Sequence, residues 1–377
     1  MQPVYTAGLA GSVLKTFLKF GALCLGLSLG LLFLGPAAAQ TFTEFEAPGA
    51  GTAAFQGTVA ISINTSGVIA GEYYDSTGVS RGFERTAAGE ITSFEASGAG
   101  TASGQGTFSG AINTAGTIAG NYSDSKGAHH GFVRTAAGAI TTFTVSNSGT
   151  ASGQGTSCCD INSSGTVSGF YIDKNGVSHG FVRTSKGAIT KYNVTGAGTA
   201  AGQGTRGGGI NDAGTIAGYY IDATDVLHGF MRTAAGAVTT YDLPNVGATG
   251  TEEDTGAAGI NNAGTITGFY IASSGVPIAF VRTAAGVITT FKVSGAPETF
   301  AAAINTSGAV VGNYLNSSSN SRGYLRSASG AITTFDAPGS GTTKGTGTFV
   351  YGINSAETIV GLYFESGGPF HAFLRTK

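Results

Sequence analysis

Four of the five histidines in this sequence recur at one position of a repeating pattern, directly before Gly-Phe or Ala-Phe. They are His130, His179, His228 and His371. An acid or amide stands six residues earlier in every copy except one, and that copy has Ala272 there and Ile278 in place of the base. An imidazole beside a carboxylate can serve acid–base chemistry or bind a metal. Because the pairs recur evenly along the chain, we expect cross-strand pairs that support the fold.

Arginine fills another position of the pattern in all seven copies. These residues are Arg85, Arg134, Arg183, Arg232, Arg282, Arg326 and Arg375. Each follows a Phe or Tyr by two residues and therefore shares a strand face with it. A planar guanidinium can stack on an aromatic ring and donate to carbonyl oxygens at the same time. We predict that these arginines join neighbouring units, and a binding role for all seven is the alternative.

A cluster of three acids marks the place where the repeat is least regular. It lies in a connector with a one-residue insertion, and the copy that follows has lost its acid–base pair. Carboxylates can bind calcium, but no EF-hand spacing is present, and we predict no metal or cofactor. Drift in tolerant loops would explain the irregularity, and so would a rim that contacts a ligand or partner. The predicted rim consists of Glu252, Glu253, Asp254, Val276, Pro277 and Ile278.

The remaining residues give little support for catalysis. No phosphate-binding loop, nucleophile elbow, His-Glu-x-x-His or Cys-x-x-Cys motif occurs. Cys158 and Cys159 are adjacent, so a disulfide between them would be strained. We expect two small buried thiols, and a redox-active vicinal disulfide is the alternative. We predict no catalytic residues.

These positions belong to a repeat whose motif is Ile-Asn-x-x-Gly-x-(Ile/Val)-x-Gly. It begins at Ile63, Ile112, Ile161, Ile210, Ile260, Ile304 and Ile353, so successive copies start 49, 49, 49, 50, 44 and 49 residues apart. In the third copy, short segments ending at Asn162 and covering 166–172, 180–184 and 188–192 are rich in β-branched and aromatic residues. Glycines such as Gly165 stand where hairpin loops need a left-handed residue. The sequence therefore predicts four strands per unit.

The two ends of the repeat region complement each other. The last unit ends after its third predicted strand, and residues 41–49 reproduce the fourth-strand segment at 332–339. Pairing the first segment with the last unit would remove two exposed sheet edges. We predict an all-β fold, a seven-bladed β-propeller of four-stranded antiparallel blades closed by the N-terminal strand. A linear solenoid is the alternative, but it would leave the missing strand unexplained.

These motifs resemble those of the extracellular HAF-repeat proteins. The His-Ala-Phe segment stands at His371-Ala372-Phe373 and as His-Gly-Phe at three other histidines, and the Ile-Asn-x-x-Gly half also fits. The resemblance covers residues 41–377. It implies secretion and β architecture, and it implies no particular chemistry.

The N-terminus has the composition of an export signal. Lys15 and Lys19 precede the apolar run 20–34, which is followed by three alanines ending at Ala39. We predict that residues 1–39 are a secretory signal peptide and that residues 40–377 form a single propeller domain. An uncleaved anchor is the alternative, but the run is shorter than the roughly 20 residues that a membrane helix needs. No later segment could span a membrane, so we place the protein outside the cell or in the periplasm.

Charge restricts the class of partner. Residues 40–377 contain 17 Lys and Arg (19 minus Lys15 and Lys19) and 21 Asp and Glu, a formal charge of −4. That balance offers no electrostatic surface for nucleic acid. We predict a monomeric, non-enzymatic binding or scaffold protein whose partner is a glycan, an envelope component or a protein. An extracellular polysaccharide hydrolase or lyase is the alternative, and a mainly structural surface protein is a third interpretation.

Overall fold

A computed structural model describes residues 40–243 and 255–377. Contacts divide the chain into Met1–Gln40 and Thr41–Lys377, and the second of these is one compact unit. The predicted signal peptide, residues 1–39, lies outside the described residues. So do Glu252, Glu253 and Asp254 of the predicted rim.

The described residues form strands and turns, without an α-helix. In chain order the strands are β1 (Thr41–Phe45), β2 (Gly57–Ile63), β3 (Ile69–Tyr74), β4 (Ser80–Arg85), β5 (Ile91–Phe94), β6 (Gly106–Ile112), β7 (Ile118–Ser123), β8 (His129–Arg134), β9 (Ile140–Phe143), β10 (Gly155–Ile161), β11 (Val167–Ile172), β12 (Ser178–Arg183), β13 (Ile189–Tyr192), β14 (Gly204–Ile210), β15 (Ile216–Ile221), β16 (Leu227–Arg232), β17 (Val238–Tyr241), β18 (Thr255–Ile260), β19 (Ile266–Ile271), β20 (Pro277–Arg282), β21 (Ile288–Phe291), β22 (Glu298–Ile304), β23 (Val310–Leu315), β24 (Ser321–Arg326), β25 (Ile332–Phe335), β26 (Gly347–Ile353), β27 (Ile359–Phe364) and β28 (His371–Thr376). Within the described part of the chain, no helix could cross a membrane.

Each repeat unit folds into an antiparallel group of four strands. Units 1 to 6 are β2–β5, β6–β9, β10–β13, β14–β17, β18–β21 and β22–β25, and unit 7 is β26–β28 with β1. The strands predicted for the third unit match β10 to β13 within two residues at each end that was predicted. The predicted all-β, propeller-like fold is confirmed.

The repeated Asn and Gly build the hairpin between the first and second strands of each unit. In unit 3, Oδ1 of Asn162 accepts a hydrogen bond from the backbone N–H of Thr166 at 3.0 Å. Gly165, at φ 77°, supplies the left-handed residue that this loop needs. Glu357 takes that place in unit 7 at φ 59°, so the loop keeps its shape without glycine.

The N-terminal strand occupies the place of the missing fourth strand. β1 pairs antiparallel with β28, and Phe45 lies opposite Ala372. Phe94 of β5 lies opposite Gly82 of β4 in the same way. The pairing predicted from residues 41–49 is therefore confirmed.

Neighbouring units pack through the repeated arginines and aromatic rings. Each of the seven arginines lies 4.4–4.9 Å from the centroid of an aromatic ring in the preceding unit. Arg183, for example, covers Phe143, whose ring also meets Phe181 edge-on at 6.1 Å. Six of the arginines donate to the carbonyl of the next residue at 3.2–3.5 Å. The predicted structural role of these arginines is confirmed.

Candidate ligand-binding site

The hairpin asparagines link each unit to the next. Their Nδ2 groups donate to the backbone oxygen of the following asparagine at 3.0–3.2 Å, and the last bond runs from Asn354 back to Asn64. The members are Asn64, Asn113, Asn162, Asn211, Asn261, Asn305 and Asn354. All of these side chains are buried. The bonds hold the ends of the first strands around a common opening.

This opening is a cavity of about 610 Å³. Its wall is formed by the last residues of the first strands, many of them Gly or Ala, and by the hairpins that follow. The residue after each asparagine is polar in every unit. These lining residues are Thr65, Thr114, Ser163, Asp212, Asn262, Thr306 and Ser355. The cavity therefore presents hydroxyl, amide and backbone groups beside a larger apolar surface from isoleucine, alanine and aromatic side chains.

Two carboxylates lie in one sector of the wall, where units 3 and 4 meet. Asp160 accepts backbone N–H bonds from Ile161 at 2.8 Å and Ile210 at 2.9 Å. Asp212 accepts from the backbone N–H of Ser163 at 2.9 Å and from Nδ2 of Asn262 at 2.7 Å. Each carboxylate thus joins neighbouring units.

The same sector contains an arginine in a position where other units have shorter or apolar side chains. Arg206 lies 5.0 Å from the ring centroid of Phe170. Its Nε donates to Oγ of Ser178 at 3.1 Å, and its Nη1 donates to the hydroxyl of Tyr219 at 3.4 Å. Three glycines, Gly207–Gly209, follow it along β14 and make the wall thin. In this sector of the cavity wall, the aromatic side chains Phe170 and Tyr219 therefore lie beside a stretch of glycines that has no side chains.

Burial shifts the titration of the acidic groups in this sector. It raises the pKa of Asp160 to about 6, with a smaller contribution from Asp212. Hydrogen bonds, chiefly from Ser163, lower the pKa of Asp212. Burial raises the pKa of Cys159 to about 12 and raises that of Cys158 as well. Both cysteines are free, and the raised pKa values keep both thiols protonated at neutral pH. Cys158 is buried as predicted, whereas Cys159 is half-buried and lines the cavity.

Three of the four repeated histidines form the cross-strand pairs that the sequence predicts, whereas His371 contacts Glu44 and Glu46 instead of Glu365. Nε2 of His130, His179 and His228 lies 3.2–3.4 Å from a carboxylate oxygen six residues earlier, and Nε of Arg81 lies 2.9 Å from Asp75. Each of these three histidines also stacks on a tyrosine of the neighbouring strand at 4.8 Å. Their Nδ1 atoms contact a residue 14 positions later, at the end of the fourth strand. Each histidine makes all these contacts within its own unit, so the contacts stabilise that unit.

One group in the described residues could ligate a metal. Atoms of Glu44, Glu46 and His371 lie within 4.8 Å of one another. Nδ1 of His371 lies 2.8 Å from Glu46, which repeats the contact of His228 with Asp242 at 2.6 Å. The hydroxyl of Tyr363 donates to Glu44. In unit 7, His371 therefore has a carboxylate partner at the end of the fourth strand, as His228 has in unit 4.

The structure places only part of the predicted rim. Pro277 begins β20 and is buried, and Val276 before it is half-buried. Ile278 pairs with Tyr270 and packs against the core cluster that contains Phe280. Because the three acids lie outside the described residues, the rim stays a prediction.

Sequence reasoning missed the cavity sector around Asp160 and Arg206. The signal was available in the aligned first strands. Cys158-Cys159-Asp160 in β10 and Gly207–Gly209 in β14 are departures at equivalent positions of neighbouring units. The acid beside the two cysteines, Asp160, marks this sector in the sequence.

No family model and no curated protein matches this chain. The resemblance to HAF-repeat proteins therefore stays a prediction. Solved structures do match. The BP39L lectin from Burkholderia pseudomallei is 10% identical, with 84% of this chain and 98% of the lectin covered and a TM-score of 0.49.

Two further matches show the range of proteins involved. The Aleuria aurantia lectin, described as a six-bladed β-propeller that recognises fucose, is 12% identical over 88% of this chain and 93% of its own, with a TM-score of 0.43. A puromycin hydrolase is 12% identical over 82% of this chain and 50% of its own, with a TM-score of 0.49. The three TM-scores lie below 0.5, and these matches indicate no function for this chain.

Proposed function

We propose that the seven repeat units are the blades of one closed propeller, completed by β1. Two observations support this. The asparagine bonds pass through all seven units and return to Asn64. The N-terminal strand supplies unit 7 with its fourth strand. Class averages of the purified protein by electron microscopy, viewed along the cavity axis, should show seven lobes.

We further propose that the protein is exported and acts as a monomeric, non-enzymatic binding module for a glycan. The observation that carries this proposal is the chemistry of the cavity. Hydroxyl and amide side chains line it, and three aromatic side chains, Phe170, Tyr219 and Tyr351, reach its wall. A sugar ring presents hydroxyl groups at its edge and C–H groups on its faces, and these complement such a lining.

Export is proposed from the N-terminal composition. A basic segment, an apolar run and small residues precede Gln40. Determining the N-terminal residue of the protein recovered from the periplasm and the medium tests this. A mature chain beginning at Gln40 is expected, and a chain that stays in the cytoplasm with residues 1–39 attached would contradict it.

A screen of neutral oligosaccharides against the purified protein tests the binding proposal. Tyr351, 37% exposed, is the cavity side chain to change. We expect Tyr351→Ala to weaken binding about tenfold, the loss of roughly one aromatic contact. Val287→Ala, at a 61% exposed residue outside the cavity lining, is the matched control and should bind like the wild type. If the wild type retains no glycan, the proposal fails.

A polysaccharide hydrolase or lyase remains the second candidate because of one observation. Asp160, whose pKa is raised to about 6, and Asp212, whose pKa is lowered, face the same cavity. Carboxyls with pKa values pushed apart are the pattern of an acid–base pair. Release of reducing sugar that Asp160→Asn abolishes would favour this candidate, and retention of intact glycan would favour the binding module.

The predicted rim is proposed as a separate contact surface for an envelope protein or other partner. Replacing Glu252, Glu253 and Ile278 with alanine tests it once a partner has been captured. Unchanged capture by this variant would remove the rim from consideration.

A further inference from the structure

Phe55 occupies a position that glycine fills in four other connectors. The equivalent residues are Gly104, Gly153, Gly202 and Gly345, with φ between 78° and 86°. Phe55 has φ 63°, in the left-handed region that costs an L-residue free energy. The other described non-glycine residues with positive φ are Asn147, Asp225, Ser319 and Glu357, all of them polar. A bulky apolar side chain in this conformation is an outlier.

The space beside this position is open in other connectors. A Cβ atom added to Gly104, Gly153 or Gly345 would meet no atom within 4 Å. In agreement, Phe55 is 53% exposed. Backbone strain and an exposed aromatic ring are both unfavourable for folding, and strained residues cluster at functional sites.

Phe55 belongs to a triangle of aromatic rings where units 7 and 1 meet. Its centroid lies 6.5 Å from Phe364 and 6.2 Å from Phe370, and these two lie 5.3 Å apart. All three pairs are edge-to-face. Backbone bonds fix the geometry, since Phe370 donates to Gln56 at 2.6 Å and Thr58 donates to Phe370 at 2.9 Å. The rings therefore form a rigid platform rather than a loose loop tip.

The aromatic contacts continue from the platform toward the cavity. Phe364 stacks on Phe349 at 5.5 Å, and Phe370 meets Tyr74 at 6.2 Å. Tyr351 lies two residues after Phe349 on β26, at a β-bulge between Val350 and Gly352, and it lines the cavity. The strand β26 thus connects the rings around Phe364 with the cavity lining.

Charge around the platform selects against an anionic ligand. The segments 48–80 and 359–370 contain no Lys or Arg, whereas they contain Glu72, Asp75 and Glu365. Arg81, the first arginine after the segment 48–80, forms ion pairs with Asp75 and Glu95. Without a cation, the rings are suited to an uncharged ligand that offers C–H groups.

We propose that Phe55, Phe364 and Phe370 form a stacking platform for a neutral sugar ring of the bound glycan. This inference rests on the proposed function and extends the binding site from the cavity to the junction of units 7 and 1. Phe55 contributes the exposed ring, and Phe364 and Phe370 hold it in place.

Phe55→Gly is an informative variant because it restores the residue of the other connectors. We expect it to weaken binding of the preferred oligosaccharide among malto-, cello-, xylo- and mannohexaose about tenfold. We expect its Tm to be unchanged or raised by roughly 2 °C, since the backbone strain is relieved. Phe55→Tyr keeps the ring and should bind like the wild type, and so should the control Val287→Ala.

Each other outcome overturns the inference in a distinct way. If the wild type binds a hexaose and Phe55→Gly binds it equally well, the platform is wrong while the cavity proposal stands. If no hexaose binds the wild type, the proposed function fails and the platform fails with it. A Tm several degrees lower for Phe55→Gly would make Phe55 a packing residue. Phe55-dependent binding of an apolar peptide, with no hexaose bound, would assign the platform to a protein partner instead.

Discussion

Nδ1 of His371 lies 2.8 Å from Oε1 of Glu46, although 325 residues separate them in the sequence. His228 makes the same contact with Asp242, only 14 residues later in its own unit. The N-terminal segment therefore supplies unit 7 with a complete fourth strand, including the polar residue at its end. The pairing of β1 with β28 has a specific register, because Phe45 packs against Arg85 and Glu46 contacts His371 only in this register.

Phe45 should matter to stability as much as an ordinary fourth-strand residue. Its ring carries Arg85 at 4.7 Å and meets Phe83 at 6.1 Å, as Phe94 carries Arg134 at 4.9 Å and meets Phe132 at 5.8 Å. We expect Phe45→Ala and Phe94→Ala each to lower the free energy of unfolding by about 2–4 kcal/mol. Denaturant titration measures both. A loss below about 0.5 kcal/mol for Phe45→Ala alone would show that β1 does not act as a strand of unit 7.

Removing one hairpin asparagine should weaken both a turn and a contact between units. Asn113 donates to the backbone oxygen of Asn162 at 3.0 Å, and its Oδ1 accepts from the backbone N–H groups of Ala115 and Thr117 at 3.0 and 2.9 Å. We expect Asn113→Ala to cost about 2–3 kcal/mol of unfolding free energy, by denaturant titration. Asn113→Asp keeps the acceptor, but at pH 7 it buries a charge facing a carbonyl. It should therefore recover stability near pH 4, and no recovery would contradict the donor role.

Glu72 should make the fold less stable as the pH rises. Burial raises its pKa to about 7, against hydrogen bonds from the Tyr74 hydroxyl and the Ser109 backbone. A carboxyl with a raised folded pKa binds more protons when folded. The contribution of protonated Glu72 to the free energy of unfolding is therefore fully present below about pH 4.5. It is lost as the pH rises toward 7.

The variant Glu72→Gln should remove this pH dependence. We expect it to be more stable than the wild type by roughly 1–3 kcal/mol at pH 8 and equal to it at pH 4. Asn121 and Asn313 fill the equivalent position in units 2 and 6 and bond the backbone of the next unit, which shows that an amide fits. Parallel stability profiles for the two proteins from pH 4 to 8 would contradict the assignment.

Cys158 and Cys159 should remain unmodified in the folded protein. Burial raises the pKa of both thiols, so little thiolate is available to alkylating agents. We expect a peptide containing both residues to take up label only after denaturation, as measured by mass spectrometry. Recovery of this peptide in a bridged form from unreduced protein would contradict the free-thiol state.

The sequence alone determined the features that depend on near neighbours. The repeated Ile-Asn-x-x-Gly motif predicted hairpins because Asn and Gly act on the turn that contains them. Strand alternation placed each arginine on the same face as an aromatic residue. The likeness of residues 41–49 to 332–339 predicted β1 because the residues of a strand determine how it pairs.

Tertiary structure decided which residues of different units meet. The partner of each asparagine side chain lies 44 to 50 residues away, or 290 for the last bond. Asp160 reaches Ile210 and Arg206 reaches Phe170 only because units 3 and 4 pack side by side. The sequence pattern within a unit does not depend on how neighbouring units are oriented. The contacts between units form only in the observed orientation. The cavity and the platform at Phe55 therefore emerge with the packing of the units.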